Sequence, residues 1–177
     1  MYLNELEDIT TIFNVGCSDI QTTGLISVND ANTGGSVIFY GETSETKEEV
    51  YLDRLDNLID DSIDFMLMDV ERFEVECMHG MKKIIQNSPN IIMYVEWGGR
   101  SANPRNFKES EKNILTWLKN EGFNFYLYNQ QDDGTCDPAV FTEKTLDEMI
   151  NFDYTPFPGE LIDITMARSH INIQSIF

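Results

Sequence analysis

Two strand-sized apolar runs, each ending in a carboxylate and separated by a helical pattern, constrain this chain more than any other feature. Ile63 to Val70 (IDFMLMDV) is nearly continuously apolar and carries Asp69 near its far end. Ile91 to Glu96 (IIMYVE) repeats the arrangement. Strands covered on both faces read this way, which is the signature of a parallel sheet sandwiched between helices. Between them Val75, Met78, Met81, Ile84 and Ile85 recur at helical spacing over Glu74–Gln86, with Lys82 and Lys83 in the last turn. Ser88-Pro89-Asn90 ends that helix.

The rest of the chain fits the same scheme. Ser110–Glu121 is an amphipathic helix with Gly122 as its left-handed cap. Phe123–Tyr128 and Leu161–Ala167 read as further strands, and Thr145 to Glu148 has the spacing of a capping box. Upstream, Thr11–Val15 reads as a short strand closed by Gly16-Cys17-Ser18-Asp19. Leu25–Val28 and Ser36–Tyr40 read as a hairpin around the turn-forming residues 29–35. Glu42–Glu49 reads as a charged loop, and Val50–Leu58 as a short helix with leucines at spacing three. The order strand–helix–strand–helix–strand predicts an α/β fold, a doubly wound, mostly parallel sheet with flanking helices. At 177 residues, a single domain spanning 1–177 is expected.

Ligands of such sheets gather at the carboxyl ends of the parallel strands. Asp69, Glu71 and Glu96 fall there. Asp69 and Glu71 stand two apart, so an extended backbone projects them to one side. Carboxylates in that position can orient a hydroxyl, take its proton or hold a cation. The same residue types also favour helix amino termini, so capping is the competing reading. Gly34-Gly35 and Gly98-Gly99 lack the strand–GxGxxG–helix context of a phosphate loop. His79 and His170 have no partner at ligand spacing, and no metal site is expected.

Charge narrows the partners. Twelve basic against 31 acidic residues give a net charge of −19, which repels nucleic-acid backbones and anionic membranes. No run approaches the roughly 20 apolar residues of a membrane span, and residues 1–9 lack a secretory signal pattern. Cys17, Cys77 and Cys136 are odd in number and far apart, so neither disulfides nor a zinc site is indicated and a cytoplasmic location is expected.

The segment Asp64-Phe-Met-Leu-Met-Asp69-Val-Glu71-Arg72-Phe-Glu74-Val-Glu-Cys-Met78-His-Gly80 resembles the signature of FkbM-type methyltransferases. That signature is a buried strand ending in Asp-Val-Glu-Gly-x-Glu, followed by a helix with Leu-x-Gly. Further matches follow in order: Asn14 to Asp19, Asn32 to Ser36, Leu52-Asp53-Arg-Leu55, Ile91 to Glu96, Glu121-Gly-Phe123 and Ile162 to Arg168. Two positions depart from the pattern, Arg72 where the family has glycine and Leu67 where it has a basic residue.

The resemblance implies methyl transfer from S-adenosylmethionine to an oxygen of a sugar or small metabolite. It places Asp69, Glu71 and Glu96 on the substrate side and Cys17, Ser18 and Asp19 near the adenine. It also implies an incomplete, Rossmann-like sheet, because the Asp-x-Gly-Ala-Asn-x-Gly loop and the acidic strand end that grip the cofactor have no counterpart here. The expectation is a domain truncated at its amino-terminal side, whose open sheet edge is covered in a homo-oligomer or by a partner chain. The alternative is a non-catalytic structural or interaction protein that reuses the fold.

Overall fold

The computed structural model describes residues 6–27, 36–39, 47–98, 107–128, 141–153 and 161–175. Four strands between residues 16 and 53 build one sheet. In it β1 (Gly16–Cys17) runs parallel to β4 (Lys47–Asp53), which pairs antiparallel with β2 (Thr22–Ser27), itself antiparallel to β3 (Val37–Phe39). The expected hairpin is therefore present, with Leu25 opposite Phe39, while its turn at residues 29–35 lies outside the described residues. Of the charged loop expected over Glu42–Glu49, residues 42–46 lie outside the described residues and Lys47–Glu49 belong to β4; three other upstream expectations fail. Thr11–Val15 is not a strand, Gly16 and Cys17 are strand rather than turn, and the helix expected over Val50–Leu58 is strand to Asp53 followed by a 3-10 turn, Leu55–Asn57. Six consecutive pairings with β2, from Ser27↔Lys47 to Thr22↔Leu52, override the weak helical spacing of the leucines.

A second sheet has the order β5 (Phe65–Met68), β6 (Ile92–Gly98), β9 (Leu161–Arg168), β7 (Phe123–Tyr128), β8 (Phe141–Lys144). The mostly parallel, doubly wound expectation is overturned here. Only β5–β6 pairs parallel; β9 enters antiparallel between β6 and β7, and β8 adds an antiparallel hairpin arm that the sequence did not signal. The physical reason is that side-chain alternation has the same period in either strand direction. Leu161 to Arg168 carries no information on which way it runs.

Helices lie on one face of this sheet. α1 (Glu74–Gly80) and α2 (Lys82–Asn87) replace the single expected helix, broken at Met81, whose φ of −125° leaves the helical range. Gly80, a poor helix former, precedes the break. α3 (Phe107–Asn120) ends at Gly122, whose φ of 89° is the expected left-handed cap, and α4 (Leu146–Ile150) opens with the expected capping box between Thr145 and Glu148. The main core forms between this helical layer and Met93, Val95 and Trp97 of β6 with Ile162, Ile164 and Met166 of β9. The Trp97 indole donates to the buried carboxylate of Glu111 at 2.9 Å, fixing α3 against the end of β6.

β5 corrects a further expectation, since it is covered on one face alone. Met66 and Met68 turn toward the helices, while Phe65 and Leu67 are 55% and 67% exposed on the other. Among the described residues β5 is also an edge strand.

Candidate functional site

β5 and β6 are parallel neighbours, so their carboxyl ends share one side of the sheet. Asp69 follows β5 directly and is exposed; Glu71 and Glu96 are half-buried. One carboxylate oxygen from each lies within 4.8 Å of the other two. The three acids therefore converge as expected, but not through extended backbone. Glu71 and Arg72 take φ values of 49° and 73°, and this left-handed bend replaces the straight run that alternation implied. Glycine adopts such angles freely. Arg72 therefore occupies, at its φ of 73°, a conformation that glycine would hold without strain.

Neither Asp69 nor Glu71 does the work of the capping alternative. α1 opens at Phe73 without a side-chain cap, and Glu74 reaches back instead, its Oε1 accepting the Arg72 backbone N–H at 2.8 Å. Glu74 is 2% exposed, between the buried side chains of Phe73 and Val75. Sequence reasoning passed over it because a glutamate in a first helical turn reads as a solvated partner of the dipole. Its flanking apolar residues were the available signal.

Crowding of acids sets the electrostatics. Burial raises the Glu96 carboxyl above its ordinary value, and the charges of Asp69, Glu71 and Asp163, with a hydrogen bond to Asp69, raise it further. Burial likewise pushes Glu74 from 4.5 to about 7, with Glu96 and Glu76 adding to the rise. An unfolded chain releases that proton near 4.5, so the stability conferred by neutral Glu74 is full below 4.5 and is lost as pH rises through 7. Glu74→Gln is neutral throughout. Between pH 5 and 7 the parent should lose about 2 kcal/mol more stability than the variant in urea titrations. Parallel curves would mean that Glu74 ionises at its ordinary value.

Cys17, Ser18 and Asp19 sit at the opposite end of α1. The Cys77 thiol donates to the Cys17 carbonyl at 3.4 Å, and Gly80 packs directly on the Ser18 carbonyl. Ser18 is completely buried, its hydroxyl 3.3 Å from the Asp19 carboxylate, whereas Cys17 and Asp19 keep half-buried surfaces. Arg54 ties this turn down, donating to the Asp19 and His79 carbonyls and to Asp56. The sequence did not single out Arg54 for that role. α1 thus stands between the two groups of predicted site residues, with Glu74 toward the carboxylates and Cys77 and Gly80 toward Ser18. No metal ion was expected, yet the three oxygens of Asp69, Glu71 and Glu96 are spaced as ligands of a hard cation. Among the described residues, no helix is long and apolar enough to cross a membrane.

Three acids thus converge at the carboxyl ends of two parallel strands, beside a helix start, which is where ligands of open α/β sheets gather. The chain matches the family model of the methyltransferase FkbM domain over residues 2–125. That is well over half of its length, and the chain belongs to this methyltransferase family. No curated protein and no solved structure matches it.

Proposed function

We propose that this domain methylates a hydroxyl oxygen of a sugar or similar small metabolite, using S-adenosylmethionine. The observation that carries the reading is the convergence of Asp69, Glu71 and Glu96 at the carboxyl ends of β5 and β6. The donor set fits both reactants, because clustered carboxylates accept hydrogen bonds from neighbouring hydroxyls and favour a sulfonium cation nearby. S-adenosylmethionine, when bound, supplies an electrophilic methyl group. Glu96, whose carboxyl burial and the neighbouring acids raise above its ordinary value, accepts the proton of the attacking hydroxyl. Asp69 and Glu71 hold adjacent hydroxyls and fix the oxygen in line. Cys17 and Asp19 offer half-buried surface on the adenine side, and Ser18, fully buried, supports the turn.

Calorimetric titration with S-adenosylmethionine, followed by transfer of a labelled methyl group to a panel of monosaccharides, tests this. Saturable heat and labelled sugar are expected. Absence of both would leave the non-catalytic reading, in which the domain serves as an interaction module.

The open edge bears on quaternary structure. Phe65 and Leu67 present two large apolar side chains on a strand that is an edge among the described residues, a surface that natural proteins cover. Static light scattering is expected to give a mass above that of one chain, through self-association or a retained partner chain. Leu67→Lys, which places a charge on the edge without touching the core, should return the mass to one chain. A parent protein that is already a stable single chain would overturn this expectation.

A further inference from the structure

We infer that Glu74 is the positioning residue of the carboxylate cluster: through the Arg72 amide it holds the bend at residues 71–72, and the bend aims Glu71 at Asp69 and Glu96. The inference rests on the reading of those three acids as the site. Three observations carry it together. Glu71 and Arg72 are consecutive residues at φ 49° and 73°, a conformation that neither residue type adopts readily by itself. The Arg72 N–H, which that bend turns inward, donates to Glu74 Oε1 at 2.8 Å. The carboxyl group that receives it is 2% exposed, flanked by Phe73 at 1% and Val75 at 3%.

A carboxyl group in such a setting has no solvation to gain, and burying it is unfavourable unless it is bonded. Its bonds from the Glu74 and Arg72 backbone N–H groups recover part of that loss, and the second of them ties it to the bend. The acceptor is therefore coupled to the bend: without it the left-handed pair loses its hydrogen bond while keeping its strain. Relaxation of Glu71 to negative φ swings its Cα–Cβ bond, and the oxygen that now lies within 4.8 Å of Asp69 and Glu96 leaves the cluster. Charge on Glu74 is not required for this. A neutral carboxyl or an amide presents the same acceptor oxygen.

The test compares acceptor with charge. Glu74→Gln removes the charge and keeps the acceptor; Glu74→Leu removes both and fills the same apolar space. Two readouts by nuclear magnetic resonance follow each protein, namely hydrogen exchange at the Arg72 amide and the titration of the Glu96 carboxyl carbon. Glu74→Gln is expected to keep the Arg72 amide protected. Glu74→Leu should lower that protection by about tenfold, the factor carried by one net hydrogen bond. It should also bring the Glu96 titration below that of Glu74→Gln, because Glu71 has moved away. Adding Arg72→Gly to Glu74→Leu removes much of the strain, so the Glu96 titration should return to that of Glu74→Gln. Equal behaviour of Glu74→Leu and Glu74→Gln would overturn the inference, and so would a double variant that fails to recover. If Glu74→Leu does not fold, loss of Arg72 protection in Glu74→Gln would still refute it. None of these readouts uses methyl transfer, so failure of the proposed reaction would leave this result standing, and the reverse.

Discussion

Methyl transfer by Glu96→Gln is expected to fall by about 10²–10⁴, the range that removal of a general base produces. The substitution keeps the size and the hydrogen-bonding outline of the side chain while removing its ability to take a proton. Asp69→Asn is expected to act differently. Asp69 is exposed and belongs to the group that holds the acceptor, so its loss should appear chiefly as a higher KM. The two variants together assign the roles. Equal falls in kcat would place both acids in proton transfer, as a coupled pair sharing one proton, consistent with the hydrogen bond between them. Unchanged kcat in Glu96→Gln would remove Glu96 from the reaction. The pH profile gives an independent reading: the ascending limb should lie above the ordinary glutamate range, because burial and three neighbouring acids delay ionisation of Glu96.

Gly80→Ala should destabilise the protein by about 3 kcal/mol, the upper part of the range for overpacking a closed contact. A β-carbon built there would stand 2.8 Å from the Ser18 carbonyl carbon and nearer still to its oxygen. Both partners are backbone, so no side chain can turn aside. The Ser18 amide is itself bonded to the Asp53 carbonyl at 2.9 Å, which fixes the turn from the other side. The helix must therefore lift away from β1, and the Cys77–Cys17 contact should go with it. Gly122 is the control. An added β-carbon there meets nothing within 4 Å, and the penalty comes from φ of 89° alone, about 1 kcal/mol. Denaturant midpoints of the two variants should separate accordingly; equal shifts would show that the α1–β1 contact yields easily.

Where structure follows from local chemistry, the sequence was readable. Gly122, the Thr145–Glu148 capping box and the apolar stripes of α3 and β6 each carry their own signal within a few residues. Direction and pairing do not. The β9 sequence would suit a parallel or an antiparallel place equally, and Lys47 to Asp53 became a strand because β2 lies beside it, not because of its composition. The apolar run of β5 implied burial on both faces, yet hydrophobic character cannot distinguish a covered face from one awaiting a cover. For the site, Asp69, Glu71 and Glu96 were legible from their positions at strand ends. The bend that joins them was not, since left-handed angles at Glu71 and Arg72 go against residue preference, and Glu74 looked like any acid at the start of a helix.

The placement of β9 sets the order in which the sheet can be completed. Among the described residues it is the last strand, yet it lies between β6 and β7 and supplies the pairings that join β5–β6 to β7–β8. During synthesis, those two pairs emerge first as separate ribbons with nothing to bridge them. The middle of the sheet is made last. Arg168, its final residue, then bonds the carbonyls of Ile85 and Glu121, so that one side chain closes the ends of the helical layer at the same moment. Long-range closure of this kind slows folding, and it concentrates cooperativity in a strand that contributes no residue to the three-acid cluster.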